Sequence, residues 1–111
     1  MALTGKFQEL VRQRAERDPA FRTGLLLEAI EALINDDLAT SKSMLRTYIN
    51  ATIGFQKLGE NLGKHPKSLM RMLSANGNPQ AKNLTSIINF LKKHEGVSIE
   101  LIESSKHTVD S

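Results

Sequence analysis

The sequence predicts an all-α fold: a bundle of about five to six helices followed by one short C-terminal strand. Apolar residues recur at three- and four-residue steps over most of the chain, which is the spacing of one helix face. After Gly96 the step changes to two, because Val97, Ile99 and Leu101 alternate with polar neighbours. Glycines, prolines and an Asn-Asp-Asp run separate the periodic segments and mark where elements begin and end.

The first half of the chain contains three predicted helices, over residues 5–17, 19–35 and 38–52. The first is rich in polar residues, so we expect it to dock only partly. Asp18 provides an N-cap for the second helix, and Pro19 suits its first position because proline lacks an amide hydrogen. Asp37 can cap the third helix in the same way.

The second half contains two short predicted helices, over residues 55–62 and 66–73, and then a long helix that ends at Gly96. Gly63 is expected to end the first short helix in a left-handed conformation, and Pro66 to start the second. The run from Ser74 to Pro79 has the composition of a loop.

Positive charge is concentrated in the middle of the chain. Residues 41–95 hold nine basic and two acidic side chains, a net of +7, whereas residues 1–40 and 96–111 each have a net of −2. A basic segment between acidic ends favours a polyanionic partner such as nucleic acid. A solvated lysine-rich face is the alternative explanation.

Several classes of function are disfavoured by composition. The absence of cysteine removes disulfides, thiolate nucleophiles and cysteine-ligated zinc. No apolar run approaches the ~20 residues of a membrane span, and the N-terminus lacks a signal peptide, so we expect a soluble cytoplasmic protein. His65, His94 and His107 lack metal-ligand spacing, and no nucleophile or phosphate-binding motif is present. We therefore expect no enzyme activity, no metal and no cofactor.

The two short helices joined across Gly63 carry a specific pattern. Gly59 is a small residue at their predicted crossing, and Leu69 and Met72 supply the inward face of the second helix. This spacing resembles the DNA-binding helix–turn–helix of lambda-repressor-like, Xre-type domains. With the neighbouring segments "LLLEAIEALINDD", "LGKHPKSLMRMLSANGNPQAKNL" and "IINFLKKHEGVSIEL", it is most similar to the antidote (antitoxin) regulators of bacterial addiction modules.

The resemblance implies how the chain is divided. Residues 18–103 would form the helix–turn–helix domain, with the turn at 63–65 and the recognition helix at 66–73. Residues 1–17 would be a helical arm, and residues 104–111 a disordered tail.

Three residues depart from the family pattern. Gly59 stands where alanine is usual and is expected to loosen the helix packing. His65 replaces the usual Ser or Thr cap, and Met70 replaces a tyrosine or small polar residue.

The resemblance also implies which residues bind DNA. Those opposite Leu69 and Met72 on the recognition helix would face the major groove. Arg71 can bind a guanine edge with two hydrogen bonds, and Ser68 can contact a base or a phosphate. The full set of implied DNA-binding residues is Gln56, Lys57, Lys64, His65, Lys67, Ser68, Arg71, Asn78 and Lys82.

These observations predict a sequence-specific transcriptional regulator, acting as an autoregulating repressor of the antitoxin type. One short helix reads few bases, so we expect a homodimer on a palindromic double-stranded operator. The strand formed by Val97, Ile99 and Leu101 has no partner in its own chain, so it would pair with a second copy, pair with a partner protein, or not form. The N-terminal helices are the alternative dimer interface. Two alternatives remain open: an antidote that chiefly binds a toxin protein, and a domain that kept the fold but lost DNA binding.

Overall fold

The computed structural model describes residues 5–104, which form six α-helices and no β-strand. The helices are α1 (Gly5–Arg17), α2 (Pro19–Ile34), α3 (Leu38–Ala51), α4 (Phe55–Leu62), α5 (Pro66–Met72) and α6 (Ala81–Glu95). The predicted all-α class and the predicted helices are confirmed, and each helix end for which a residue was predicted agrees within one residue. Within this described part of the chain, no helix is both long and apolar enough to cross a membrane.

The hydrophobic core draws on every helix from α2 to α6. Its buried side chains are Leu26, Ala29, Leu45, Tyr48, Ile49, Phe55, Leu58, Leu69, Leu73, Leu84, Ile87 and Leu91. Helices α2 and α3 pack along each other, and α6 closes the core against α2. Because α4 and α5 are only two turns long, they depend on this packing for their stability.

Helix α1 is docked only in part, as its polar sequence predicts. Ala15 is its buried residue, whereas Leu10 keeps about half of its surface exposed. On the solvent side, Arg12 forms ion pairs with Glu9 and Glu16 on its own helix. The helix therefore gains little burial energy from the rest of the fold.

A polar cluster connects α1, α2 and α3 to the C-terminal end of α6. Arg22 of α2 forms an ion pair with Glu95 of α6 at 3.1 Å, and its Nη1 donates to the carbonyl oxygen of Ala15 at 2.6 Å. The hydroxyl of Tyr48 in α3 donates a hydrogen bond to the same Glu95 carboxylate. Burial, with the adjacent carboxylate, raises the pKa of Tyr48 above its ordinary value, so this hydroxyl remains a donor.

The predicted helix ends are confirmed in detail. The carboxylates of Asp18 and Asp37 each accept a backbone N–H at 3.1 Å, from Phe21 and Thr40 respectively. Gly96 ends α6 with a left-handed φ of 76°. Each cap uses residues close in sequence, which is why the pattern alone could place it.

These caps make stability depend on pH. The Phe21 amide lowers the pKa of Asp18, and hydrogen bonds from Thr40 lower the pKa of Asp37, both below 3.8. A carboxyl group whose pKa is lower in the folded state stabilises the fold above its unfolded pKa, and this contribution is lost as pH falls through the folded pKa. We therefore expect the melting temperature to fall as the pH is lowered below about 4.

The matched variant is Asp18→Asn/Asp37→Asn, since asparagine caps helices about as well as aspartate but does not titrate in this range. Its melting temperature, followed by circular dichroism from neutral pH to pH ~3, should fall less steeply than that of the wild type. An identical pH dependence for the two proteins would contradict the assignment to these caps.

The predicted C-terminal strand is not seen: residues 97–104 of the single chain are not in a strand. Val97 and Ile99 are half-buried, whereas Leu101 and Ile102 are 81% and 83% exposed. A strand needs a hydrogen-bonded neighbour, and no second strand exists among residues 5–104 to provide one. The predicted disordered tail, apart from Ser104, lies outside the described residues.

Candidate nucleic-acid interface

The turn between α4 and α5 has the geometry that the sequence predicts. Gly63 follows the last residue of α4 with a left-handed φ of 67°, and the Lys64 amide donates to the Gly59 carbonyl at 2.9 Å. His65 is the N-cap of α5, because its Nδ1 accepts the Lys67 backbone N–H at 3.2 Å. The imidazole therefore caps the helix in place of the serine or threonine that is more common at an N-cap.

Gly59 lies where α4 meets this turn. A Cβ at this position would lie 2.5 Å from the Lys64 carbonyl oxygen and 3.3 Å from the Pro66 nitrogen. The absence of a side chain therefore lets the turn lie directly on α4. The expectation that glycine loosens this contact is wrong in this chain, because glycine permits an approach that a methyl group would prevent.

The inward face of α5 is formed chiefly by Leu69 and Leu73, both fully buried. Met72 is only half-buried, so it plays a smaller part in the core than the sequence pattern predicts. Leu73 is the C-cap of α5 and lies one turn after Leu69. Since α5 has only seven residues, these two leucines determine which side of the helix faces outward.

The outward face of α5 carries three of the nine residues predicted to bind DNA. Lys67 and Arg71 are exposed and Ser68 is half-buried. Met70, also exposed, adds an apolar side chain to the surface of this short helix. At the preceding turn, His65 is exposed, although its Nδ1 is already used in the cap.

The predicted cationic contacts of this region are not paired with any carboxylate that the structure describes. Across residues 5–104, none of the predicted cationic contacts forms an ion pair with a carboxylate; these residues are Lys57, Lys64, Lys67, Arg71 and Lys82. The ion pairs of the described chain involve Arg12, Arg14 and Arg22 instead. The α4–α5 surface therefore keeps a positive potential that suits phosphate groups.

Four predicted residues lie outside α5 and the turn before it; one of them, Lys82, is exposed in the first turn of α6. Gln56 and Lys57 are exposed at the start of α4, where the Gln56 amide donates to Glu60 at 3.3 Å. Asn78 is exposed in the loop between α5 and α6. That loop lies against the end of α5, because a Cβ on Gly77 would be 2.2 Å from the Arg71 carbonyl oxygen. The fold thus brings Asn78 close to the end of the proposed recognition helix.

Two basic residues of the central segment do not belong to its surface. Lys42 is buried and Arg46 half-buried, and both donate to carbonyl oxygens of the chain that follows α5. Both residues count toward the +7 charge of the central segment, but they are internal contacts and not part of a surface open to a polyanion. A signal was available, since Lys42 and Arg46 share with Leu45 and Ile49 the spacing of one buried helix face.

The chain was compared with protein-family models, curated proteins and solved structures, and no match was found.

Proposed function

We propose that the protein is a sequence-specific DNA-binding transcriptional regulator, with α4 and α5 as a helix–turn–helix of the lambda-repressor-like, Xre type. One observation carries the proposal: α5 is fixed by Leu69 and Leu73, and its opposite side presents Lys67 and Arg71 without carboxylate partners among residues 5–104. A helix held in this way offers rigid donors to whatever anionic surface it meets.

In this proposal α5 enters the major groove of double-stranded DNA. Arg71 donates two hydrogen bonds to a guanine edge, and Ser68 contacts a neighbouring base or phosphate. Lys57, Lys64 and Lys67 bind phosphates and fix the position of the helix on the duplex. A dimer would place two such helices about 34 Å apart, which suits a palindromic operator.

The test begins with selection of bound sequences from a random pool of duplex DNA, followed by gel-shift titration of the selected site. For Arg71→Ala we expect a loss of about 1–3 kcal/mol in specific binding and weaker selectivity at one base pair, because a base contact is removed. Full affinity and selectivity in Arg71→Ala would contradict the proposed role of this side chain.

Lys57→Ala serves as the contrasting variant, because it removes a phosphate contact instead of a base contact. It should weaken binding to all sequences alike and make the slope of log affinity against log salt shallower by about one unit. A change in base preference in Lys57→Ala would show that it is not a phosphate contact. If the wild type selects no common sequence from the pool, the proposed function itself fails.

A second candidate is an antidote that binds and silences a toxin protein, with DNA binding serving autoregulation. The exposed Leu10, Leu101 and Ile102 favour this candidate, since protein partners cover apolar side chains of this kind. Co-expression with the product of an adjacent gene tests it. The candidate requires a stable complex that is weakened in the Leu101→Ser/Ile102→Ser variant.

A further inference from the structure

Lys42 is an unusual cation because it is almost fully buried and forms no ion pair among the described residues. Only 4% of its surface is exposed, and its Nζ donates to the carbonyl oxygens of Ala75 at 3.2 Å and Gly77 at 2.6 Å. Burying a charge is costly unless it is well hydrogen-bonded. The contact therefore needs the carbonyl oxygens of the α5–α6 loop to stay where they are.

Arg46 lies one turn further along α3 and makes a related contact. Its Nη1 donates to the carbonyl oxygen of Leu73, the C-cap of α5. Carbonyl groups at a helix C-terminus carry partial negative charge and are stabilised by cations. Lys42 and Arg46 thus place two cations of α3 at the end of α5 and the loop that follows it.

The same loop is confined from its other side. A Cβ on Gly77 would lie 2.2 Å from the Arg71 carbonyl oxygen and 2.4 Å from that of Met72. The backbone of Gly77 therefore packs against the last turn of α5, and its own carbonyl oxygen accepts a hydrogen bond from Lys42. A seven-residue helix has little stability of its own, so these contacts fix its position and direction.

We propose that Lys42 and Arg46 are positioning residues for DNA recognition: they do not touch DNA but set the orientation of α5, and so of Arg71. This inference rests on the proposed function. It predicts that their removal harms the reading of bases more than attraction to phosphates, because only base contacts require an exact helix position.

The test uses Lys42→Met, which keeps the unbranched side chain and removes the charge and its hydrogen bonds. Lys93→Met, at an exposed position in the last turn of α6, is the matched control for loss of one positive charge. Affinities for the selected duplex and for a scrambled duplex are measured over a range of salt, well below the melting temperature of each variant. Amide hydrogen exchange of α5 is measured in the same proteins without DNA.

For Lys42→Met we expect roughly tenfold weaker binding to the selected duplex, little change for the scrambled duplex and faster exchange in α5. The salt slope should stay within about half a unit of the wild type, because no phosphate contact is lost. Lys93→Met should keep the wild-type selectivity and exchange. Wild-type selectivity in Lys42→Met overturns the inference, as does a slope shallower by about one unit, which indicates a direct phosphate contact.

Should Lys42→Met fail to fold, Arg46→Met provides the same test with one hydrogen bond removed at a half-buried position. Selectivity retained in folded Arg46→Met overturns the inference. Failure of the wild type to bind any duplex selectively is a different result, since it defeats the proposed function. Faster α5 exchange in the variants would then mark the pair as purely structural.

Discussion

Gly77→Ala is expected to destabilise the protein by about 3 kcal/mol or more, at the upper end of the cost of overpacking. The added methyl group would lie 2.2 Å from one backbone oxygen and 2.4 Å from another. Backbone atoms cannot rotate aside as a flexible side chain can, so either α5 or its loop must move. Movement of the loop would also disturb the hydrogen bond between Lys42 and the Gly77 carbonyl oxygen. Urea unfolding followed by circular dichroism measures the change.

Two other glycines provide controls for the same chemical change. Gly24 lies within α2 and has open space around it, so Gly24→Ala should stabilise the protein by up to about 1 kcal/mol. Gly59→Ala should be destabilising, but less so than Gly77→Ala, because its tightest contact is a single backbone oxygen at 2.5 Å. If Gly77→Ala is no less stable than the wild type, the packing described for the α5–α6 loop is wrong.

The double variant Lys67→Glu/Arg71→Glu should bind the selected duplex roughly a thousandfold more weakly, because two favourable contacts become repulsive. Both side chains are exposed, so the fold should be unaffected. The affinity should also become less dependent on salt by about two units of slope, since fewer counterions are released. Gel-shift titration at several salt concentrations measures both effects.

The matched control is Lys92→Glu/Lys93→Glu, which changes the net charge by the same amount in the last turn of α6. It should lower affinity far less, because long-range attraction falls off within about 10 Å in 0.1 M salt. Equal losses in the two double variants would mean that α5 is not the recognition surface and that only total charge matters.

Local signals allowed most of the fold to be predicted from the sequence. Asp18 before Pro19 fixed the start of α2, and Gly63 and Pro66 bounded the turn between the two short helices. In each case the residue determines the backbone near itself, through a cap, a fixed φ or a left-handed conformation. The outward-facing residues of α5 followed from the same helical spacing.

The features that were missed depend on residues far apart in the chain or on other molecules. Lys42 contacts carbonyl groups 33 and 35 residues away. Helical spacing indicates only that this side chain faces inward, and it does not identify the groups that the side chain contacts. The segment from Val97 has the alternation of a strand, but alternation cannot provide the neighbouring strand that hydrogen bonding requires. Periodicity therefore describes an element's own preference and leaves its partners undetermined.

The hydrogen bond between Tyr48 and Glu95 gives the protein an optical reporter of its own. Tyr48 is the single tyrosine, and the chain has no tryptophan, so excitation at wavelengths that phenylalanine does not absorb gives emission from one side chain. In the folded state that ring is buried and its hydroxyl is bonded to a carboxylate, an arrangement that quenches tyrosine fluorescence. Separation of α3 from the end of α6 should therefore brighten the emission. The junction of these two helices can be followed without attaching a dye.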